Sequence, residues 1–168
     1  GLLQIMVASG LMVPCEESSD FFLFKNIHIE LGDAQSLSSN LSSFSGHIQG
    51  VKTILDEVGE HDLILFDELA IGTEPLAGSA IAQAILEKIS ELGSRTVVTT
   101  HYESLKHLAY ADNAFRNGSM EYSLEESKPT YHLVLDIPGQ SYGVELIKKM
   151  GLSSTIVERA KKLKGEDN

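Results

Sequence analysis

The chain has 168 residues, 42% of them hydrophobic, and a formal net charge of −11 from 13 basic and 24 acidic side chains. This predicts one compact soluble domain whose main role is not to contact nucleic acid, because Lys and Arg neutralise the phosphates in such complexes. The single cysteine, Cys15, excludes an internal disulfide and a cysteine-based zinc cluster. No apolar stretch approaches the roughly 18 residues of a membrane span, so we expect a cytoplasmic protein without a membrane partner.

The N-terminal residues predict one helix and two short strands. Residues 2–12 carry an apolar pattern typical of a buried helix that ends before Pro14. No helix start signal precedes this pattern, so we expect the chain to begin within or just after a longer structural unit. Residues 21–24 and 27–29 are rich in β-forming side chains and predict two strand segments.

A second helix is predicted from residue 41 to residue 58, where apolar residues recur at steps of three, four and seven. The stretch 36–43 before it is rich in serine. It indicates either a flexible linker or a helix start capped by Ser42 or Ser43.

The centre of the chain predicts a βαβ unit. Residues 63–66 form a continuous apolar run between acidic residues, typical of a strand buried on both faces of a parallel sheet. A helix over 77–92 with Gly93 as its stop comes next, followed by a strand over 96–100. The two strands are expected to be parallel, so their carboxyl ends meet at the edge where ligands bind in open α/β sheets.

The remaining residues predict a helix near 104–110 and then a β-hairpin with strands over 119–124 and 130–137. Two helices follow, over 144–150 and 155–163.

Two adjacent carboxylates, Asp67 and Glu68, follow the buried apolar run directly. Because burying unpaired carboxylates is costly, such a pair at a sheet edge needs a cation or a proton. In P-loop nucleotidases this Walker B arrangement uses the aspartate to hold Mg²⁺ and the glutamate to orient or deprotonate the attacking water. Successive side chains of a strand point to opposite sides, which would let Asp67 serve the metal while Glu68 faces a γ-phosphate. The alternative is an acidic strand end that simply enters a loop.

His101 follows the next predicted strand and is expected at the same edge, where its imidazole would contact a γ-phosphate and sense its loss. The other histidines lack metal-ligand spacing. The phosphate-binding motif GxxxxGK[ST] does not occur, and the stretch 46–53 has the wrong glycine spacing and a helical context. The sequence therefore predicts the magnesium-and-water half of a nucleotide site without a triphosphate cradle.

Four segments of the chain carry motifs that belong together: Leu41-Ser42-Ser43-Phe44, Leu65-Phe66-Asp67-Glu68-Leu69, Gly72-Thr73-Glu74-Pro75 and Thr99-Thr100-His101-Tyr102. Together they resemble the ATPase domain of the MutS proteins, and the likeness runs from residue 1 to about residue 163. It is strongest to the second, recombination-suppressing MutS branch. Ala70-Ile71 departs from the glycine-containing pair that relatives often carry, and residues 140–143 resemble the mismatch-repair branch.

The resemblance implies a three-layer α/β fold of the P-loop ATPase (ABC) kind, truncated before the strand–P-loop unit and extended by a β-hairpin and C-terminal helices. It also implies ATP and Mg²⁺ as cofactors. The implied roles are Asp67 for the metal, Glu68 as catalytic base, His101 as switch histidine, Ser42 and Ser43 as the loop that reaches the γ-phosphate across a dimer, and Gly72 and Thr73 as the loop lining that interface.

By the same resemblance, residues 1–140 are a partial ATPase domain and residues 141–168 a helical dimerisation segment. The basic residues of this tail indicate either a solvated helix face or a phosphate-binding surface. The implied parent hydrolyses ATP as a homodimer to control binding of branched or mispaired DNA, suppressing recombination, or to rescue collided ribosomes. DNA contacts lie elsewhere, and this chain alone is expected to be inactive. The alternatives are a piece of a mismatch-repair MutS, a chromosome-maintenance ABC ATPase, or a non-catalytic dimerisation module.

Overall fold

The computed structural model describes residues 1–31, 43–139 and 142–165. The chain divides into two units, Gly1–His107 and Leu108–Asn168. The predicted functional boundary at residue 140 stays a prediction. The elements of the first unit are helix α1 (Leu2–Ala8), strand β1 (Ile27–Leu31), helix α2 (Ser43–Glu57), strand β2 (Leu63–Asp67), helix α3 (Pro75–Leu92), strand β3 (Arg95–Val98) and a 3₁₀ turn (Glu103–His107).

The strands of the first unit form a parallel sheet in the order β1-β2-β3. This confirms the predicted α/β fold and its βαβ unit, with α3 as the crossover. In the register of the sheet, Ile29 lies beside Leu65 and Leu65 beside Val97. Ile64 and Phe66 are buried on one face of β2, whereas Ile29 and Val97 are exposed on the other face. A third layer over that face stays a prediction.

Helix α2 has the predicted inward face, where Val51 and Ile54 are buried. His47 lies on this face as well and is buried. The residues 46–53 are helical, in agreement with their rejection as a phosphate loop. Ser43 is the first helical residue, and Ser42, the other predicted cap, lies outside the described residues.

Helix α3 is defined at both ends by local chemistry. The N-cap Glu74 accepts hydrogen bonds from the backbone N–H groups of Leu76 at 3.0 Å and Ala77 at 2.9 Å, which lower the pKa of its carboxyl. Pro75 occupies the first helical position and Gly93 ends the helix with a φ of 75°. The predicted stop is confirmed. The start comes earlier than predicted because Glu is not among the usual capping residues.

The N-terminal segment differs from the prediction. Helix α1 ends at Ala8, and none of its residues is buried. An apolar helix face is buried only where another element packs on it. No element among the described residues covers α1 in this way. The strand predicted at 21–24 is wrong: Phe22 and Phe24 pack with ring centroids 4.9 Å apart, but this segment has no strand assignment and joins no ladder. β-rich composition forms a strand only where a neighbouring edge is free to pair.

Asp62 ties the beginning of β2 to β1 and to the turn after α2. Its buried carboxylate accepts hydrogen bonds from Asn26 Nδ2 at 2.9 Å, from Asn26 N–H at 3.2 Å, from Gly59 N–H at 2.9 Å and from His28 Nε2 at 3.1 Å. Burial alone raises the pKa of Asp62, but the hydrogen bonds from Gly59, His28 and Asn26 outweigh it and hold the pKa below its ordinary value.

The second unit confirms the predicted hairpin and the two C-terminal helices. The helix predicted near 104–110 is divided: the 3₁₀ turn ends at His107 and a short helix follows. No helix in the described part of the chain is both long and apolar enough to cross a membrane. The elements of the second unit are helix α4 (Leu108–Ala111), antiparallel strands β4 (Gly118–Ser123) and β5 (Lys128–Leu135), and helices α5 (Gly143–Lys149) and α6 (Ser154–Lys164).

Candidate functional site

The carboxyl ends of β2 and β3 bring an acidic pair and a histidine together. Glu68 Oε1 lies 3.8 Å from His101 Nδ1, and Asp67 is the last residue of β2 immediately before Glu68. The side chains of Glu68 and His101 are 48% and 61% exposed, so a ligand in solvent has access to both. The structure therefore places Asp67, Glu68 and His101 at one edge of the sheet, as the sequence predicted for parallel strands.

Thr99 links the two acidic residues. Its hydroxyl donates a hydrogen bond to Asp67 Oδ1 and accepts one from the backbone N–H of Glu68 at 3.0 Å. The N–H of Thr99 donates to the carbonyl oxygen of Phe66 at 3.0 Å, which seats Thr99 beside the end of β2. No separate role for Thr99 was predicted from the sequence. Its place immediately after the neighbouring parallel strand is the signal that points to this contact.

The chain leaves the extended conformation at Glu68. Glu68 and Ala70 have φ values of +52° and +61°. For residues other than glycine this left-handed region costs about 1 kcal/mol each. The expectation that Asp67 and Glu68 alternate along a continuous strand is therefore wrong, because β2 ends at Asp67 and a turn begins. The N–H of Ile71 donates to the carbonyl oxygen of Glu68 at 3.1 Å and closes that turn.

Two buried side chains hold the turn at Ala70. Its N–H donates to His47 Nε2 at 3.1 Å, and its carbonyl oxygen accepts from the Tyr102 hydroxyl at 3.0 Å. The other ring nitrogen of His47 lies 3.1 Å from Glu30 Oε1. The Tyr102 ring in turn lies beside the His101 ring, with centroids 4.8 Å apart. No role for His47 was predicted from the sequence, although its position on the apolar face of α2 marks it as a buried histidine.

Comparison with known proteins decides the family. The model of MutS domain V matches residues 1–166 of the chain. The chain belongs to the MutS family. This MutS domain V is 43% identical over 162 residues to the protein named endonuclease MutS2 of Clostridium acetobutylicum, covering 96% of the chain and 21% of that relative.

Two further relatives of this MutS chain carry the same name. The identity is 42% over 161 residues for Caldanaerobacter subterraneus, covering 96% of the chain and 20% of the relative, and 40% over 167 residues for Staphylococcus aureus, covering 99% and 23%. The predicted resemblance to the second MutS branch is confirmed. The chain spans about a fifth of the length of these curated relatives.

The other four residues that the resemblance assigned to the site lie elsewhere in the MutS chain. Gly72, with a φ of +92°, and Thr73 belong to the turn that leads into α3. Within the described residues, no hydrogen bond joins them to the acidic pair or to His101. Ser43 opens α2, and Ser42 lies outside the described residues. The roles of these four residues stay predictions.

Ala70, which stands where relatives often carry a glycine-containing pair, has an unusual backbone conformation in this MutS chain. Ala70 adopts a left-handed φ, which glycine adopts without a Cβ penalty, so a glycine-containing pair suits this turn. In this chain the hydrogen bonds from Tyr102 and to His47 hold the same conformation with alanine.

The oxygen ligands present at this edge of the sheet fit Mg²⁺. Asp67 is exposed at the sheet edge, with Oδ1 held by Thr99 and with no described partner on Oδ2. Mg²⁺ in phosphate-binding sites is held by one or two carboxylates together with water and phosphate oxygens. One oriented carboxylate whose Oδ2 has no partner among the described residues meets that requirement.

Proposed function

We propose that this MutS domain V is part of a P-loop ATPase of the ABC kind, in which two copies of the protein hydrolyse ATP. The proposal is carried by the approach of Glu68 to within 3.8 Å of His101 beside Asp67 at the ligand edge of the sheet. The motif GxxxxGK[ST] does not occur in this chain, so the phosphate cradle comes from another part of the full-length protein.

Each residue at the edge has a role that its position supports. Asp67, oriented by Thr99, would hold Mg²⁺. Glu68 orients the attacking water and accepts its proton. His101 contacts the γ-phosphate and registers its loss. When bound, Mg²⁺ neutralises charge that develops on the phosphate oxygens.

The second copy completes the site in this proposal. Ser42 and Ser43 of one copy approach the γ-phosphate held by the other, because the free N–H groups at a helix N-terminus attract anions. Gly72 and Thr73 line the interface between copies, and residues 141–168 stabilise the dimer.

ATP hydrolysis in the dimer controls the grip of the full-length protein on branched or mispaired DNA and thereby suppresses recombination. Collided ribosomes are the alternative target. The contacts to DNA belong to regions outside this acidic chain, whose net charge of −11 opposes binding to phosphates.

Replacing the proposed base tests the function. In the full-length protein, Glu68→Gln is expected to lower kcat for ATP by about 100-fold or more while ATP still binds, because the amide cannot accept the proton from water. Steady-state ATPase assays and equilibrium binding of a fluorescent ATP analogue measure the two effects. Glu87→Gln makes the same chemical change at an exposed position of α3, outside the acidic pair and its turn, and is the control.

Unchanged turnover in Glu68→Gln would remove Glu68 from this role and favour the non-catalytic dimerisation module. This chain by itself is expected to show no ATPase turnover, because it supplies no phosphate cradle. Turnover comparable to that of an intact P-loop enzyme would contradict that expectation.

A further inference from the structure

His47 is buried and makes contacts on both sides of its ring. It is 2% exposed. Because the Ala70 N–H donates to Nε2, that nitrogen carries no proton. The proton of the neutral ring therefore sits on Nδ1 and donates to Glu30 Oε1, 3.1 Å away. Glu30 thus selects the tautomer that lets His47 accept from the turn.

The hydrogen bonds that join Glu30, His47 and Ala70 form a relay, and its three members lie on different elements. Glu30 belongs to β1, His47 to α2, and Ala70 to the turn after β2. That turn contains two left-handed residues, Glu68 and Ala70, and therefore needs contacts from outside it to keep its shape. Ala70 is fully buried, so loss of the His47 acceptor leaves its N–H without a partner or forces the turn to move.

We propose that His47 is a positioning residue for ATP hydrolysis: it holds the turn so that the Glu68 carboxylate stays beside His101. The proposal rests on the function proposed above. His47 touches neither substrate nor metal and acts through the backbone of Ala70. The same contact ties α2, which begins with Ser43, to the turn that carries the catalytic base.

Substitutions of His47 distinguish a role in positioning the turn from a role in packing alone. In the full-length protein, His47→Leu keeps an apolar side chain of similar size but removes the acceptor. We expect kcat to fall about tenfold or more, since a shift of about 1 Å at a reacting group has effects of this size, while KM for ATP changes little. His47→Gln offers an acceptor and a donor at its end and is expected to restore most of the turnover.

A second variant reaches the relay without altering the imidazole. A Cβ at Gly50 would stand 2.1 Å from Glu30 Oε2, so Gly50→Ala must shift the flexible Glu30 carboxylate, whose other oxygen contacts His47. Alanine also favours the helix over glycine. We therefore expect Gly50→Ala to fold at least as well as wild type and still to lower kcat several-fold.

Val51→Ala is the matched control. Val51 is buried on the same helix, and its truncation is expected to lower stability without changing the kcat of the folded protein. A loss of kcat in Val51→Ala equal to that in His47→Leu would assign the effect to packing and overturn the proposal.

An independent readout needs no activity. In this 168-residue chain, ¹⁵N NMR is expected to show His47 as the Nδ1–H tautomer and the Ala70 amide as protected from hydrogen exchange, with that protection reduced in His47→Leu. Protection that survives in His47→Leu would overturn the proposed contact.

The two proposals fail in different ways. If Glu68→Gln abolishes turnover while folded His47→Leu and Gly50→Ala retain it, the positioning role is wrong and the ATPase function stands. If Glu68→Gln itself retains full turnover, the assignment of Glu68 as the base fails, and the positioning role of His47, which acts through Glu68, fails with it whatever the NMR shows.

Discussion

Two aspartates at opposite ends of β2 are used in different ways. Asp62, at the beginning of the strand, is buried and accepts hydrogen bonds from four donors, so its carboxylate is fully occupied by the protein. Asp67, at the end of the strand, is exposed and is oriented by one hydroxyl. The first arrangement stabilises the sheet, whereas the second leaves Oδ2 without a partner in the part of the chain that the structure describes.

The hydrogen-bonded carboxylate of Asp62 predicts that the free energy of unfolding depends on pH. Because the pKa of folded Asp62 lies below its ordinary value of 3.8, its contribution to the free energy of unfolding is complete above that value. The contribution is lost as pH falls through the folded pKa. We expect Asp62→Asn to lower the free energy of unfolding at neutral pH by about 2 kcal/mol or more, since several hydrogen bonds to a charged acceptor are weakened.

Urea denaturation at several pH values between about 7 and 3 measures this effect. The wild-type chain is expected to lose stability toward acid more steeply than Asp62→Asn. Asp56→Asn changes an exposed carboxylate beside Lys52 and is the control. Parallel pH curves for wild type and Asp62→Asn would show that Asp62 does not carry this dependence.

At the scale of elements, the turn between β2 and α3 is shaped by residues from neighbouring segments. Tyr102, after β3, reaches Ala70 because Gly78 in the first turns of α3 leaves room for its hydroxyl. The close approach explains why glycine stands within a helix, where it is otherwise unfavourable. Packing of α3 and the conformation of the turn are therefore linked.

Filling this space is expected to destabilise the first unit. A Cβ at Gly78 would lie 2.3 Å from the Tyr102 hydroxyl oxygen and 3.0 Å from the carbonyl oxygen of Ala70. Overpacking of this kind costs about 1–3 kcal/mol, which exceeds the gain of about 1 kcal/mol in helix propensity. We expect Gly78→Ala to unfold at a lower urea concentration than wild type.

Gly46→Ala provides the comparison for this prediction. Gly46 lies in α2, and a Cβ there would meet nothing within 4 Å. It is expected to raise the free energy of unfolding by about 0.5–1 kcal/mol. If both glycine variants gained stability, the close contact at Tyr102 would not constrain the helix.

At the scale of the whole molecule, the C-terminal helices offer apolar side chains that the second unit does not bury. Val157 is buried in α6, whereas Ile156 and Leu163 are 53% and 72% exposed. Ile156 and Leu163 are seven positions apart and lie on one face of α6. This face is consistent with the dimerisation role proposed for residues 141–168.

Charges on this face are expected to disrupt the dimer. The double substitution Ile156→Lys and Leu163→Lys leaves both new side chains in solvent when the chain is monomeric. In a dimer that uses this face, the same substitutions place two cations in the interface. Sedimentation equilibrium is expected to show a fall in average mass toward one chain. Met120→Lys, an equally exposed change on β4, is the control. A wild-type chain that is monomeric at high concentration would contradict the role of this face.

Much of the α/β fold was predictable from short-range patterns. The apolar run of β2, the periodicity of α2 and the stop at Gly93 each depend on neighbours in sequence. The juxtaposition of the acidic pair with His101 followed from them, because parallel strands end at one edge. The early start of α3 and the lack of a strand at 21–24 were not predictable, since one depends on an unusual cap and the other on an unavailable pairing edge.

The amino-acid sequence by itself determined helices α2, α3, α5 and α6, the parallel strands and the acidic edge, because hydrophobic periodicity and the backbone preferences of glycine and proline act over a few residues. Only the tertiary structure decided that Glu68 begins a left-handed turn and that His47 and Tyr102 hold that turn at Ala70. These contacts join residues far apart in the chain. They arise when buried polar groups find partners across packed elements, which no local pattern specifies.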